Sequence, residues 1–200
     1  DVSDRGEMGR AFALGADCFG PCWALAAVAG VIEPGHPLTL DDAHVARMLG
    51  VNVVGVVLAD HFAARQMRDA GRGGRIVNWA SDAAVGASPG YALYAAAKSA
   101  VVSLTRTFAV DLAPLGITVN AIMPGVTDTP LAAHLSAAEK AAHARAIPDG
   151  RWADPAEIAW FFGILLADES RHMTGETLLI DGGATARSLE GMRTQEFSEG

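Results

Sequence analysis

The sequence predicts an open α/β domain, a parallel sheet doubly wound by helices. Three observations lead there. Short apolar runs punctuated by glycine and proline alternate with helical stretches. Those stretches are long enough to serve as crossovers between parallel strands. Small or polar residues (Gly30, Ser81, Pro124-Gly125, Asp181) follow each apolar run, where sheets of this kind hold ligands.

The elements follow in chain order. Residues 5–16 read as a helix. Residues 23–27 form a buried, alanine-rich strand. Thr39 is the expected N-cap of a long helix, with Asp41 and Asp42 in its first turn. That helix runs toward Ala70 and is interrupted before Asn52. Residues 75–79 (RIVNW) form a second strand, introduced by Gly73-Gly74. Residues 91–113 read as a helix stopped at Pro114. Residues 118–123 (TVNAIM) form a third strand, stopped by Pro124-Gly125. Asp154 caps a helix with Pro155 in its first turn, reaching Ala167. Residues 177–181 (TLLID) form the last strand, ended by Gly182-Gly183. One domain over residues 1–183 is expected, followed by a tail, 184–200, whose only large apolar groups are Leu189, Met192 and Phe197.

Composition excludes several classes of function. Half of the 200 residues are apolar, enough for a sizeable core. With 23 Asp and Glu against 15 Lys and Arg, the net charge is -8, which argues against a nucleic-acid or anionic-membrane partner. No uninterrupted apolar run reaches the roughly 18 residues of a membrane helix, so no membrane is expected. No signal-peptide pattern is found, so a cytoplasmic location is expected. Cys18 and Cys22 make no disulfide framework. Histidines 36, 44, 61, 134, 143 and 172 are scattered without metal-ligand spacing, so no metal is expected and a solvated or capping role is favoured.

The chemistry concentrates in Ser81 and the stretch YALYAAAKSA, residues 91–100. On a helix, Tyr94 and Lys98 share one face a turn apart, whereas Tyr91 meets Ala95. An ammonium beside a phenol favours the phenolate and lowers its pKa from about 10, as an acid/base working near neutrality requires. Ser81, thirteen residues before Tyr94 and at the end of a strand, could hydrogen-bond a carbonyl oxygen that Tyr94 protonates. The alanines between Tyr94 and Lys98 allow a flat ligand to approach closely.

Ser81 with Tyr94-Ala95-Ala96-Ala97-Lys98 resembles the serine and YxxxK signature of the short-chain dehydrogenase/reductase family. The resemblance covers nearly the whole chain. Asn52 in GVNVVGV is similar to the helix asparagine that completes the family's catalytic tetrad. Residues 119–125 (VNAIMPG) resemble VNxxxPG, and Thr129 in TDTPL falls at the usual threonine. Residues 173–183 resemble the TGxxLxxDGG ending, and Asp1-Val2-Ser3-Asp4 resembles the DVxD element. The resemblance implies a Rossmann-type sheet, NAD or NADP as cofactor, and hydride transfer to or from a carbonyl or secondary alcohol. Either a 3-oxoacyl-reductase-like or an alcohol-dehydrogenase-like activity would fit.

It also implies roles. Tyr94 is the acid/base, Lys98 tunes it and grips the ribose, Ser81 orients the carbonyl, and Asn52 supports a proton relay through an ordered water. Asp1 and Val2 meet the adenine. Ala29 and Gly30 lie close to the ribose. Pro124, Gly125, Thr127 and Thr129 lie on the nicotinamide side. Residues 131–147, the loop after Ser81 and Trp152 line a pocket for a small hydrophobic substrate. A homodimer or homotetramer is expected.

Two departures from the family pattern stand out. The opening strand, the glycine-rich turn that brings amides against a pyrophosphate, and the second strand should precede DVxD and are not in this sequence. The sheet is therefore expected to be N-terminally incomplete, a fragment of a longer parent, with the strand at residues 23–27 left at an open edge. The family's NNAG reads Ala27-Val28-Ala29-Gly30 here, without either amide. A second reading follows: a non-catalytic remnant, unable to bind cofactor alone, that pairs with a complete partner through the helices bearing Asn52 and Tyr94.

Overall fold

The computed structural model describes residues 1–87, 89–132 and 135–186. His134 and all but the first three residues of the expected tail lie outside the described residues. Four parallel strands form one sheet in the order β1-β2-β3-β4: β1 Ala24–Ala27, β2 Gly74–Trp79, β3 Ile117–Pro124 and β4 Thr177–Ile180. The fold is the expected Rossmann-type α/β arrangement, and β1 stands at an edge.

Alternation along the strands assigns the two faces. Ile76, Ile117 and Val119 pack with Ala63, Met67 and Ala109 on one side of the sheet. Val77 and Ile122 pack with Ile158 and Leu165 on the other. The first face is covered by α3 (Gly55–Ala70) and α4 (Ala92–Leu112), with α1 (Arg5–Phe19) against α3. The second is covered by α6 (Pro155–Leu166).

Caps set the helix starts. The Asp4 carboxylate accepts from the Glu7 N–H at 2.7 Å and starts α1. Asp154 and Glu157 form a capping box on α6, with Pro155 in its first turn. The long helix begins two residues later than the sequence suggests. Its cap is Asp41, whose carboxylate accepts from His44 N–H at 2.7 Å. The Thr39 hydroxyl instead donates to the His36 carbonyl, one turn earlier.

The expected interruption before Asn52 is a π-helical turn, Gly50–Val54, between α2 (Asp42–Leu49) and α3. The continuous helical run Asp42–Ala70 is 29 residues long and contains an 18-residue window of mean hydropathy 1.4, so by length and composition it could cross a membrane. It carries buried Asn52 and Asp60 and packs on β1 and β2, which makes it a core helix of this sheet. A further helix, α5 (Ala137–Ala146), has no expected counterpart and buries none of its residues.

A polar cluster lies under β2. Asn78 Nδ2 donates to Asp60 Oδ2 at 3.0 Å and to Thr105 Oγ1 at 3.2 Å, all three residues being buried. Burial pushes the Asp60 carboxyl up to about 7, against the lowering effect of the Asn78 hydrogen bond.

Candidate active site

All four strands point their carboxyl ends at one region. There a cavity of about 780 Å³ opens, within the size range of small-molecule sites. Gly30, Ser81, Tyr94, Lys98, Pro124, Gly125, Thr127 and Thr129 line it together. They come from the loop after β1, the end of β2, the first turns of α4 and the segment after β3.

Ser81 lies two residues past β2 and caps the short 3-10 turn Asp82–Ala84, its Oγ accepting from Ala83 N–H at 3.2 Å. It is buried, and its hydroxyl donates to Asp82 Oδ1 at 3.0 Å. Tyr94 and Lys98 lie on one face of α4, with Lys98 Nζ 5.6 Å from the Tyr94 ring centroid. Lys98 is only 4 % exposed. Burial lowers its pKa from 10.5 to about 8. Its three donors meet one acceptor among the described residues, the Trp79 carbonyl at 2.7 Å.

The Tyr94 phenol departs from expectation. Its burial raises its pKa, the adjacent Ser81 hydroxyl works in the opposite direction, and the Asp82 carboxylate adds to the rise. The net shift is upward because burial is its largest cause.

Asn52 is fully buried in the π-helical turn. Its Nδ2 donates to the Val31 and Met48 carbonyls at 2.9 and 3.0 Å, and its Oδ1 accepts from Val31 N–H at 3.2 Å. The amide thus clamps the loop after β1 onto the helix. Helical turns of this type recur at functional sites. Gly30 fits against that clamp: a Cβ there would lie 2.9 Å from Asn52 Oδ1 and 3.5 Å from Lys98 Nζ. Gly125 is similarly constrained, since a Cβ would lie 2.8 Å from the Asp181 Cα.

Asp1, Val2, Ala29 and Asn52 are not among the cavity's lining residues. Asn52 instead bonds the Val31 backbone of the loop that carries Gly30. Asp1 accepts from Ser3 N–H at 2.8 Å, and Val2 packs against Gly55. The expected substrate segment does line the cavity, through Leu131, Ala132, Leu135, His143 and Trp152. His143 stacks on Trp152 with centroids 6.2 Å apart, so this exposed side chain also forms part of the cavity wall. Asp82 and Ala83 line it from the expected loop after Ser81, whereas Tyr91 and Phe162 line it without having been expected.

The site can hold a polar, hydroxyl-bearing cofactor. A buried ammonium with donors to spare, a bare glycine backbone at Gly30, and the Thr127 and Thr129 hydroxyls all face the same space. Such a fold and site define an oxidoreductase of the nucleotide-binding α/β class.

The comparisons agree. The family model described as enoyl-(acyl carrier protein) reductase matches residues 1–185. The cis-4-hydroxycyclohexanecarboxylate dehydrogenase of Sinomonas cyclohexanicum is 40% identical over 187 residues, covering 93% of this chain and 75% of that protein. A short-chain type dehydrogenase/reductase from Mycobacterium marinum superposes with a TM-score of 0.89 at 32% identity, covering 94% of this chain and 74% of the other. A gluconate 5-dehydrogenase from Burkholderia cenocepacia J2315, solved with NADP and tartrate, gives 0.88 at 29% identity, covering 94% and 74%. The chain belongs to the short-chain dehydrogenase/reductase family, whose chemistry is nicotinamide-dependent oxidoreduction of alcohols and carbonyl compounds.

Proposed function

We propose that this cavity interconverts a small, largely apolar secondary alcohol and its ketone, with Tyr94 as the acid/base. The observation that carries the reading is the convergence of the Ser81 hydroxyl, the Tyr94 phenol and the buried Lys98 ammonium on one cavity at the strands' carboxyl ends. A bound NAD or NADP supplies or accepts the hydride. Lys98 would hold its ribose hydroxyls through the two donors not used on Trp79. Ala29 and Gly30 would let the ribose approach, Thr127 and Thr129 would bind the nicotinamide side, and Asp1 with Val2 the adenine.

The protein's own groups handle the proton. A phenol kept above its ordinary pKa is protonated near neutrality, ready to give its proton to the substrate oxygen as negative charge develops there. In oxidation the same oxygen must lose its proton, and a lysine cation turned toward it would stabilise the phenolate. Ser81 holds the substrate oxygen beside Tyr94. Asn52 keeps the Gly30–Val31 loop in register with Lys98. Leu131, Ile158, Phe162 and Trp152 exclude water and select an apolar substrate body.

We place the protein in the cytoplasm as a homodimer or homotetramer. The free thiols of Cys18 and Cys22 suit a reducing compartment. Exposed Val110 and Trp160, on α4 and α6, suit burial by a second copy. The test is cofactor reduction by a panel of cyclic and linear secondary alcohols, followed by the absorbance of the reduced nicotinamide. Turnover with any member supports the reading. A folded chain that binds neither cofactor and turns over nothing fits the non-catalytic remnant instead.

A further inference from the structure

Asp82 adjoins the machinery but has no role in it so far. Its carboxylate sits where β2 ends, with Ser81 Oγ 3.0 Å from Oδ1. A Cβ placed on Gly125 would lie 3.5 Å from its Oδ2. The Ser81 hydroxyl has one proton, and an ionised carboxylate can only accept. One Ser81 lone pair is already used by the Ala83 N–H. While Asp82 is ionised, Ser81 therefore shows the cavity a lone pair and no proton.

From this we infer that Asp82 is a positioning residue that sets the hydrogen-bond polarity of Ser81. Ionised, it makes Ser81 an acceptor that fits an alcohol O–H. Protonated, it donates to Ser81 and releases the serine proton to a ketone oxygen. Ground-state selection between the two substrates then follows the proton on Asp82.

The surroundings shift the Asp82 carboxyl upward. Burial raises the Asp82 carboxyl above its ordinary range, and the Asp181 carboxylate after β4 raises it further, while the Ser81 and Ala83 hydrogen bonds lower it. From α4 it faces Tyr94, whose phenol its charge pushes up. Lys98 on the same helix gives one of its three donors to the Trp79 carbonyl. Nothing charged comes from β3 or from Gly125 just after it.

The inference rests on the alcohol-ketone reading of the cavity, and equilibrium binding separates the two. Cyclohexanol and cyclohexanone serve as probes, each titrated against the tryptophan fluorescence of the chain from about pH 8 to about pH 5. The expected wild-type result is an alcohol preference of about fivefold at the upper end, one hydrogen bond's worth, shrinking as the pH falls. Asp82→Ala and Asp82→Asn should lose both the preference and its pH dependence. Variants that keep the wild-type preference and profile overturn the inference. Preference without turnover by the wild type would sink the oxidoreductase reading and leave this one standing. A folded wild type that binds neither probe overturns both.

Discussion

Replacing Lys98 with methionine should stabilise the fold while removing the activity. Buried Lys98 titrates at about 8 instead of 10.5. Between those values the unfolded chain holds a proton that the native chain has released, so unfolding becomes harder as pH rises through that window. At neutral pH the protein therefore carries the cost of a buried ammonium, about 3 kcal/mol for a shift of this size. Methionine matches the length of the lysine stem and brings no charge. It forfeits the hydrogen bond to the Trp79 carbonyl, worth about 1 kcal/mol. The net expectation is a gain of about 2 kcal/mol at neutrality for Lys98→Met. That gain should shrink as the pH rises from 8 and be gone above 10.5, where the wild-type lysine is neutral in both states. Urea denaturation of both proteins across this range measures it. A variant less stable than wild type at neutral pH, or a difference that ignores pH, would refute the reasoning.

Other expectations concern the core and the loop after β1. The Asp60 carboxyl is neutral in the fold up to about 7, whereas the unfolded chain loses that proton near 3.8. Stability should thus decline as pH rises through that interval, by about 4 kcal/mol in all, and Asp60→Asn should flatten the decline in urea titrations. An unaltered pH slope would contradict the assignment. Gly30→Ala would press a methyl group 2.9 Å from Asn52 Oδ1. It should cost about 1–3 kcal/mol in thermal or urea unfolding and weaken cofactor binding by about tenfold or more. Cofactor affinity unchanged in that variant would remove Gly30 from the ribose site.

The sheet was legible because its signals are local. RIVNW and TVNAIM have β-branched residues with glycine or proline at an end, and both strands fall within a residue of their expected ends. The YxxxK spacing placed Tyr94 and Lys98 on one helical face because a helix has no other way to arrange them. Helix α5 was missed although Ser136 and Glu139 spell a capping box. Its sequence is mostly alanine and charge, so it shows no apolar stripe, and in the structure it buries nothing. The Asn52 clamp could not be read either, since its partners are backbone groups of Val31 and Met48 brought together by the fold. The sign of the Tyr94 shift was misjudged for a similar reason. Spacing gives proximity to the lysine, but burial and the Asp82 carboxylate outweigh what lowers the pKa.

The central claim is that Tyr94 moves the proton. Tyr94→Phe keeps the ring and deletes only the hydroxyl, so turnover and cofactor affinity should be measured on the same preparation. We expect turnover to fall by on the order of a hundredfold to ten-thousandfold, with the dissociation constant of the cofactor nearly unchanged. Turnover close to wild type in a folded variant would contradict the assignment.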